Sequence, residues 1–108
     1  MANTFKLKTK ASVGLTTTGL YVVPNSTTTV VIGITASNVS GNNINVGIGI
    51  TRASADDIHL MKNVPIPQGS SFEFMAGNKV VLETTDTITA KSDVANSLDV
   101  ALTIMEIT

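Results

Sequence analysis

The sequence contains no cysteine and no tryptophan, and its aromatic residues are three phenylalanines and one tyrosine. Without cysteine, neither a disulfide framework nor a thiolate metal site is possible. Charged residues make up 14% of the chain, compared with about a quarter in ordinary soluble domains. Seven Lys/Arg and eight Asp/Glu give a net charge of -1, which argues against general attraction to nucleic acid or anionic lipid. We therefore expect no nucleic-acid partner.

Long apolar runs are also missing. The start, MANTFKLKTK, has no apolar stretch of signal-peptide length, and nowhere do about 18 apolar residues follow one another. We therefore expect no membrane span, no membrane partner and no secretory signal. The glycosylation sequons at Asn25 and Asn38 are then interpreted as chance matches in a chain of which Ser, Thr and Asn form about a third.

What is present is alternation of apolar and polar residues. In TFKLKTKASV, one side of an extended strand carries Phe5, Leu7, Thr9, Ala11 and Val13, and the other carries three lysines. This pattern predicts a half-buried strand. Similar segments follow at short, even spacing, separated by turn clusters such as NVSGNN, AGN, TTD and DVAN. A single helical turn is conceivable only in ASADD.

These patterns predict an all-β fold: one antiparallel β-sandwich domain over residues 1–108, of jelly-roll or Greek-key type, with about eight strands. In INVGIGITR, one face carries Ile44, Val46, Ile48 and Ile50. In the last strand, Leu98, Val100, Leu102 and Ile104 line one face, while Met105 and Ile107 make the second face apolar too. We expect that second face to be covered by a partner chain or by a loop.

Two glycines need an explanation. Gly47 and Gly49 lie at alternate positions of a predicted strand, where glycine costs roughly 0.5–1 kcal/mol relative to alanine. We predict that another backbone or a partner surface approaches closely there. Simple tolerance on a solvent face is the alternative.

The Lys6, Lys8 and Lys10 stripe has two interpretations. It could bind an acidic partner, or it could prevent unwanted pairing of an edge strand. The second interpretation is favoured, because lysines are a common means of blunting sheet edges.

No catalytic signature is present. His59 is the only histidine, and no local motif supplies the serine and carboxylate that a triad would need. Asp86, Asp93 and Asp99 lie near predicted turns or strand starts, where short carboxylates bond backbone N–H groups. The sequence therefore predicts no enzyme, no cofactor and no metal site.

The segment VPIPQGSSFEF combines two prolines, a glycine and two phenylalanines. Pro65 and Pro67 favour an extended, hydrogen-bond-poor connector, and Gly69 permits a bend. We interpret the segment as a crossover between the two sheets. Phe72 and Phe74 alternate with Glu73, so their rings share one face and are expected to anchor the core.

At residues 21–41 (YVVPNSTTTVVIGITASNVSG) and 64–107 (from VPIPQGSSFEF to LDVALTIMEI), the chain resembles small β-proteins encoded in the structural regions of tailed phages, including marine and cyanobacterial phages. Their shared motifs include a Y-x-V-P strand, a P-x-P-x-G segment, a K-x-V-L-E strand and a final L-D-V-x-L-x-x-x-E-I strand. One departure is TTD at 84–86, where a glycine before the aspartate is more usual. That departure leaves the turn type open.

The resemblance implies a non-enzymatic virion protein made in the host cytoplasm, a capsid decoration or cement protein first of all. It also implies a homo-oligomer, with a trimer favoured by closed-ring symmetry, and contacts with major capsid or neck and tail proteins. The alternatives are a neck or tail accessory and a receptor- or carbohydrate-binding module, for which aromatic platforms are scarce. The residues expected at subunit or partner interfaces are Lys6, Lys8, Lys10, Gly47, Gly49, Met105 and Ile107.

Overall fold

The computed structural model describes residues 2–52, 56–74 and 79–108. Within these ranges the chain forms nine strands. Their bounds are β1 Asn3–Val13, β2 Thr18–Val22, β3 Thr28–Asn38, β4 Ile44–Thr51, β5 Ile58–Ile66, β6 Ser71–Phe74, β7 Val80–Leu82, β8 Thr87–Ser92 and β9 Leu98–Ile107. The helical turn considered for ASADD includes residues 53–55, which lie outside the described ranges.

The strands form two antiparallel sheets. Sheet 1 has the order β1-β9-β3-β6, and β7 also pairs with β3; sheet 2 has the order β2-β8-β4-β5. Because β6 and β7 lie end to end along β3, the nine strands occupy eight positions. This order is that of a jelly roll, in which two four-stranded sheets face each other. The predicted all-β sandwich is confirmed, and the jelly-roll form is the one adopted.

The core lies between the sheets and follows the predicted alternation. On β4, Ile44, Val46, Ile48 and Ile50 are all buried. On β9, the inward positions are Leu98, Val100, Leu102 and Ile104, each at most 3% exposed. Aliphatic side chains of this size contribute about 1.5–3 kcal/mol each on full burial, so these two strands carry much of the stabilisation.

Strand β1 is an edge strand, as its lysines suggested, but its assigned faces are reversed. Phe5 and Leu7 are 69% and 64% exposed, whereas Lys6 and Lys8 lie opposite the buried Ile104 and Leu102 of β9. Residues directly opposite in an antiparallel ladder share a face. The lysines therefore point to the core-facing side of sheet 1, and the expectation that Phe5 and Leu7 form the buried face is wrong.

A bulge explains the reversal. Between Lys10 and Val13 the register with β9 shifts, and Ser12 adopts a φ of 59°. One extra residue moves every following side chain to the other face. Val13 accordingly lies in the core, 1% exposed, on the side that Phe5 does not reach.

The proline segment crosses between the sheets, as predicted. Pro65 is the penultimate residue of β5, an edge strand of sheet 2, where a missing N–H is tolerated. A turn follows with Gly69 at a φ of 73°, and β6 enters sheet 1. Phe72 lies opposite the buried Ala36 but remains 36% exposed, so it lines the rim of the sandwich. Its prediction as a core anchor is wrong, and the side chain of Phe74 lies outside the described part of the chain.

Asn38 is a structural turn residue. It is 3% exposed, and its Nδ2 donates to the carbonyl oxygens of Asn42 and Ile66. Its Oδ1 accepts hydrogen bonds from Ser40. A buried side chain with all these partners has no room for a glycan, which agrees with the interpretation of this sequon as a chance match. Across the described ranges, no helix is both long and apolar enough to cross a membrane.

Candidate functional site

The seven residues expected at interfaces lie in three places. Lys6, Lys8 and Lys10 lie on the core-facing side of the β1 edge, and Met105 and Ile107 lie on the outer side of sheet 1. Gly47 and Gly49 lie on the outer side of sheet 2, since their strand neighbours are buried. The fold therefore brings together each sequence-adjacent group but separates the three groups from one another.

The outer side of sheet 1 carries a continuous apolar row. Phe5 lies opposite Met105, Met105 opposite Val30, and Val30 opposite Val81. Val81 is 60% exposed, similar to Phe5 and Leu7. Four neighbouring strands at about 4.8 Å spacing make the row roughly 14 Å wide. We call this the outer apolar face; its residues are Phe5, Leu7, Val30, Val81, Met105 and Ile107.

Lys6 and Lys8 of β1 instead join a polar network around the buried Glu106. Lys6 Nζ lies 2.7 Å from Glu106 Oε1, and Glu106 is 6% exposed. Tyr21 of sheet 2 donates to Glu106 Oε2 and shares a 2.8 Å hydrogen bond with Thr29. Lys8 Nζ lies 5.8 Å from the centre of the Tyr21 ring, within range of a cation–π contact. The network ties the edge strand β1 to both sheets.

Both ionisable groups at the centre of this network are shifted. The hydrogen bond from Lys6, with that from Tyr21, holds the pKa of Glu106 below its ordinary value of 4.5. Burial, followed by the hydrogen bond to Glu106, raises the pKa of Tyr21 from 10.0 to about 12. The carboxylate and the neutral phenol are thus the forms that the folded state favours.

The outer side of sheet 2 contains a groove of about 430 Å³. We call it the glycine groove, because Gly47 and Gly49 form part of its floor. The two glycines differ in how much space their surroundings leave for a side chain. A Cβ at position 49 would lie 2.8 Å from the carbonyl oxygen of Ile58, whereas a Cβ at position 47 would meet its nearest atom at an ordinary 3.6 Å. Close backbone approach, as predicted, explains Gly49 but not Gly47.

Charged side chains surround the groove. Lys91 of β8 lies directly opposite Gly47. On the other side of β4, the register with β5 shifts between Val46 and Ile48, and the resulting bulge places Lys62 and Asn63 along the groove wall. Asp57, His59 and Asp93 also line it. The groove is therefore polar along its sides and bare along part of its floor.

The predicted role of the turn carboxylates is confirmed. Asp86 Oδ2 accepts the N–H of Glu83 at 2.9 Å, Asp93 Oδ1 that of Asn45 at 2.9 Å, and Asp99 Oδ1 that of Ser12 at 3.0 Å. Asp86 closes its own turn, whereas Asp93 bonds to β4 and Asp99 bonds to the bulge of β1. Within the described ranges, no group of three His, Cys, Asp or Glu side chains is arranged to hold a metal ion.

Sequence reasoning missed several of these residues. Glu106 could have been found, because strict alternation along LDVALTIMEI places it on the same face as Ile104. Lys62 and Lys91 could not, since they lie 29 positions apart in the sequence (91 - 62) and meet only through the order of the strands. Val81 likewise joins Phe5 only through β9 and β3.

No family model matches the chain, and no curated protein matches it. Among solved structures, the chain is similar to one described as Bacillus endospore appendages, a family of disulfide-linked pili. The identity is 14%, the match covers 99% of this chain and 87% of the other, and the TM-score is 0.59. At this identity the likeness establishes a shared fold. The present sequence has no cysteine, so it lacks the groups needed for the disulfide links named for that structure.

Proposed function

We propose that this chain is a non-enzymatic structural protein of a phage particle, a capsid decoration or cement protein, which works in multiple copies and buries its outer apolar face against a second copy. The observation that carries the proposal is the inverted edge strand β1. Its apolar Phe5 and Leu7 face outward, while its lysines face the core side of the sheet. A strand of a free monomer would be expected to show the opposite arrangement.

The charge distribution supports a second copy as the occupant. The row from Phe5 to Val81 carries no charged side chain, and Lys6 is turned away into its ion pair with Glu106. Two such faces can therefore meet without like-charge repulsion. Exposed apolar patches rimmed by polar residues commonly mark protein interfaces.

The fold is compatible with this role. Jelly rolls are used by viral capsid domains among other proteins, and the similar solved structure belongs to a pilus. A non-enzymatic protein is also supported by the carboxylates of the glycine groove. Asp57 and Asp93 both accept hydrogen bonds from backbone N–H groups, as structural carboxylates do. Alternatives for the location are the neck or tail of the particle.

The test is the solution mass of the protein, measured by light scattering and sedimentation over a wide concentration range. We expect an oligomer that dissociates at least tenfold more readily when Phe5→Ser and Leu7→Ser are combined. The thermal unfolding of the monomeric variant should be nearly unchanged, because both side chains are already exposed.

The matched control combines Leu15→Ser and Val39→Ser, which removes similar apolar surface from exposed positions outside the face. This control should remain oligomeric. A strictly monomeric wild-type protein, or equal dissociation of both double variants, would contradict self-association.

Mass spectrometry of purified particles tests the location. The copy number of a decoration protein is proportional to that of the major capsid protein, whereas a neck or tail accessory is present in few copies. Absence of the chain from purified particles refutes the phage role.

A further inference from the structure

The glycine groove has features that self-assembly through sheet 1 does not use. It lies on the opposite side of the sandwich from the outer apolar face, and three strands of sheet 2 contribute to it. Its volume of about 430 Å³ is within the range of small-molecule sites, about 300–1,000 Å³. Besides the charged residues, hydroxyl and amide side chains line the groove: Thr17, Asn45, Thr51, Asn63 and Thr89.

Two cations line the same part of the groove. Lys91 is opposite Gly47 on β8, and Lys62 belongs to the β5 bulge on the other side of Gly47. Neither lysine forms an ion pair within the described ranges. Across two strand spacings, their backbones are roughly 10 Å apart. That spacing allows both ammonium groups to reach one anionic group held above the backbone of Gly47.

The carboxylates of the groove are already engaged. Asp93 accepts hydrogen bonds from the N–H and the Nδ2 of Asn45, and Asp57 accepts from the N–H of Arg52. Both carboxylates stay charged while they accept these bonds, so the four charges of the lining sum to zero. The attraction for an acidic group is therefore local: it comes from the two lysines beside Gly47, neither of which has an ion-pair partner in the described ranges.

Further polar groups continue along the groove from the lysines. One strand step away on the same face, Gly49 is flanked by His59 and Thr89. Thr89 Oγ1 donates to the carbonyl of Gly49 at 3.3 Å, so its lone pairs can still accept a hydrogen bond. Hydroxyl and amide side chains at this spacing suit the hydroxyl groups of a sugar, and same-face positions two residues apart lie roughly 6.6 Å from each other.

Gly47 is the position that nothing in the fold explains. Its φ is not positive, and a side chain would meet only an ordinary 3.6 Å contact. A strand glycine is less stable than alanine, yet here the bare backbone keeps the floor between the two lysines open. Space for a bound group accounts for it.

We propose that the glycine groove binds an acidic carbohydrate. A carboxylate of the sugar lies between Lys62 and Lys91 above Gly47, and its hydroxyl groups bond to the side chains around Gly49. This inference is independent of the proposed structural role, because it concerns the other sheet.

The experiment is an NMR titration of the ¹⁵N-labelled protein with a tetramer of galacturonic acid. Its fully methyl-esterified form, an oligoglutamate of equal charge and inorganic sulfate serve as comparison probes. We expect saturable shifts at the amides of Gly47, Gly49, Thr89 and Lys91 with the acidic sugar. Binding should weaken severalfold as salt rises from about 20 to 200 mM, because screening acts on exposed charges.

Three variants and one control locate the site. Lys62→Gln, Lys91→Gln and Gly47→Ala should each weaken binding at least tenfold, while Lys79→Gln, an exposed lysine outside the groove, should bind like the wild type. The thermal midpoint of Gly47→Ala serves as a folding check. The proposal is overturned if the acidic sugar does not bind, or if the methyl ester or the oligoglutamate binds equally well. It is also overturned if sulfate at the same concentration displaces the acidic sugar completely.

Discussion

At the scale of single residues, Gly47 and Gly49 show how two identical residues on one strand face differ in necessity. A Cβ at position 49 would meet the Ile58 carbonyl oxygen at 2.8 Å, which backbone atoms cannot easily relieve. We expect Gly49→Ala to lower the free energy of unfolding by about 1–3 kcal/mol, as for other overpacked sites. Urea denaturation of the purified variant measures this.

Gly47→Ala is the matched comparison, since it makes the same change two residues away. With 3.6 Å to its nearest neighbour, the methyl group fits, and the reduced freedom of the unfolded chain should raise stability by about 0.5–1 kcal/mol. If Gly49→Ala is as well tolerated as Gly47→Ala, the close approach of β5 at Ile58 is absent in solution; if both substitutions destabilise equally, position 47 is as crowded as position 49.

The carboxyl group of Glu106 predicts a dependence of stability on pH. Because Lys6 and Tyr21 lower its pKa below 4.5 in the folded state, this group stabilises the fold above about that pH. The contribution is lost as the pH falls through the lowered folded-state pKa. We expect Glu106→Gln to reduce stability at neutral pH and to flatten its decline below pH 4.5.

Urea midpoints measured from pH 7 to pH 2 test this prediction. Glu73→Gln, which changes an exposed glutamate outside the network, should give a curve parallel to that of the wild type. If the Glu106→Gln curve is also parallel, the ion pair with Lys6 does not contribute in solution.

At the scale of single elements, the turn between β7 and β8 contains a residue in an unfavourable conformation. Thr85 adopts a φ of 71°, at the position where the resembled phage proteins more usually have glycine. The turn closes through the N–H of Asp86 and the carbonyl of Glu83 at 3.0 Å. A left-handed conformation costs a non-glycine residue about 1–2 kcal/mol. Thr85 therefore keeps the turn at the expense of backbone strain.

We therefore expect Thr85→Gly to raise the free energy of unfolding by about 0.5–1 kcal/mol, after the greater freedom of glycine in the unfolded chain is subtracted. Thr84→Gly is the control, because Thr84 Oγ1 donates to the carbonyl of Thr27 at 3.0 Å. Its loss should lower stability by about 1 kcal/mol. Thermal unfolding of the two variants should move in opposite directions.

Strand β1 shows where alternation succeeds and where it fails. The pattern of Phe5 to Lys10 correctly predicts a strand and correctly groups the lysines on one face. It cannot say which face is buried, because a period of two is symmetric and the bulge at Ser12 has no glycine to mark it. The prediction of Phe72 as a core anchor also fails because alternation does not give the position of a strand in its sheet. Among the described strands, β6 lies at the edge of sheet 1, where a side chain is less covered than in the centre.

At the scale of the whole molecule, strand number and class follow from the sequence, but strand order does not. Pairing of β1 with β9 joins residues as distant as Asn3 and Ile107, and no local signal encodes such a contact. The order of the strands in the two sheets is what distinguishes the jelly roll from other Greek-key sandwiches. The glycine groove depends on strand order in the same way. The sequence predicts a close approach at the two glycines, but only the order of β8, β4 and β5 places Lys62 and Lys91 beside them.

The back-to-back placement of the two outer faces has a consequence for adhesion. If copies associate through sheet 1 as proposed, sheet 2 of every copy points away from the junction, and the proposed sugar sites form a fixed array. A polymeric sugar that bridges several of these sites would be held by avidity, more strongly than by any one of them. Such an array would retain a polysaccharide even where each single contact is short-lived.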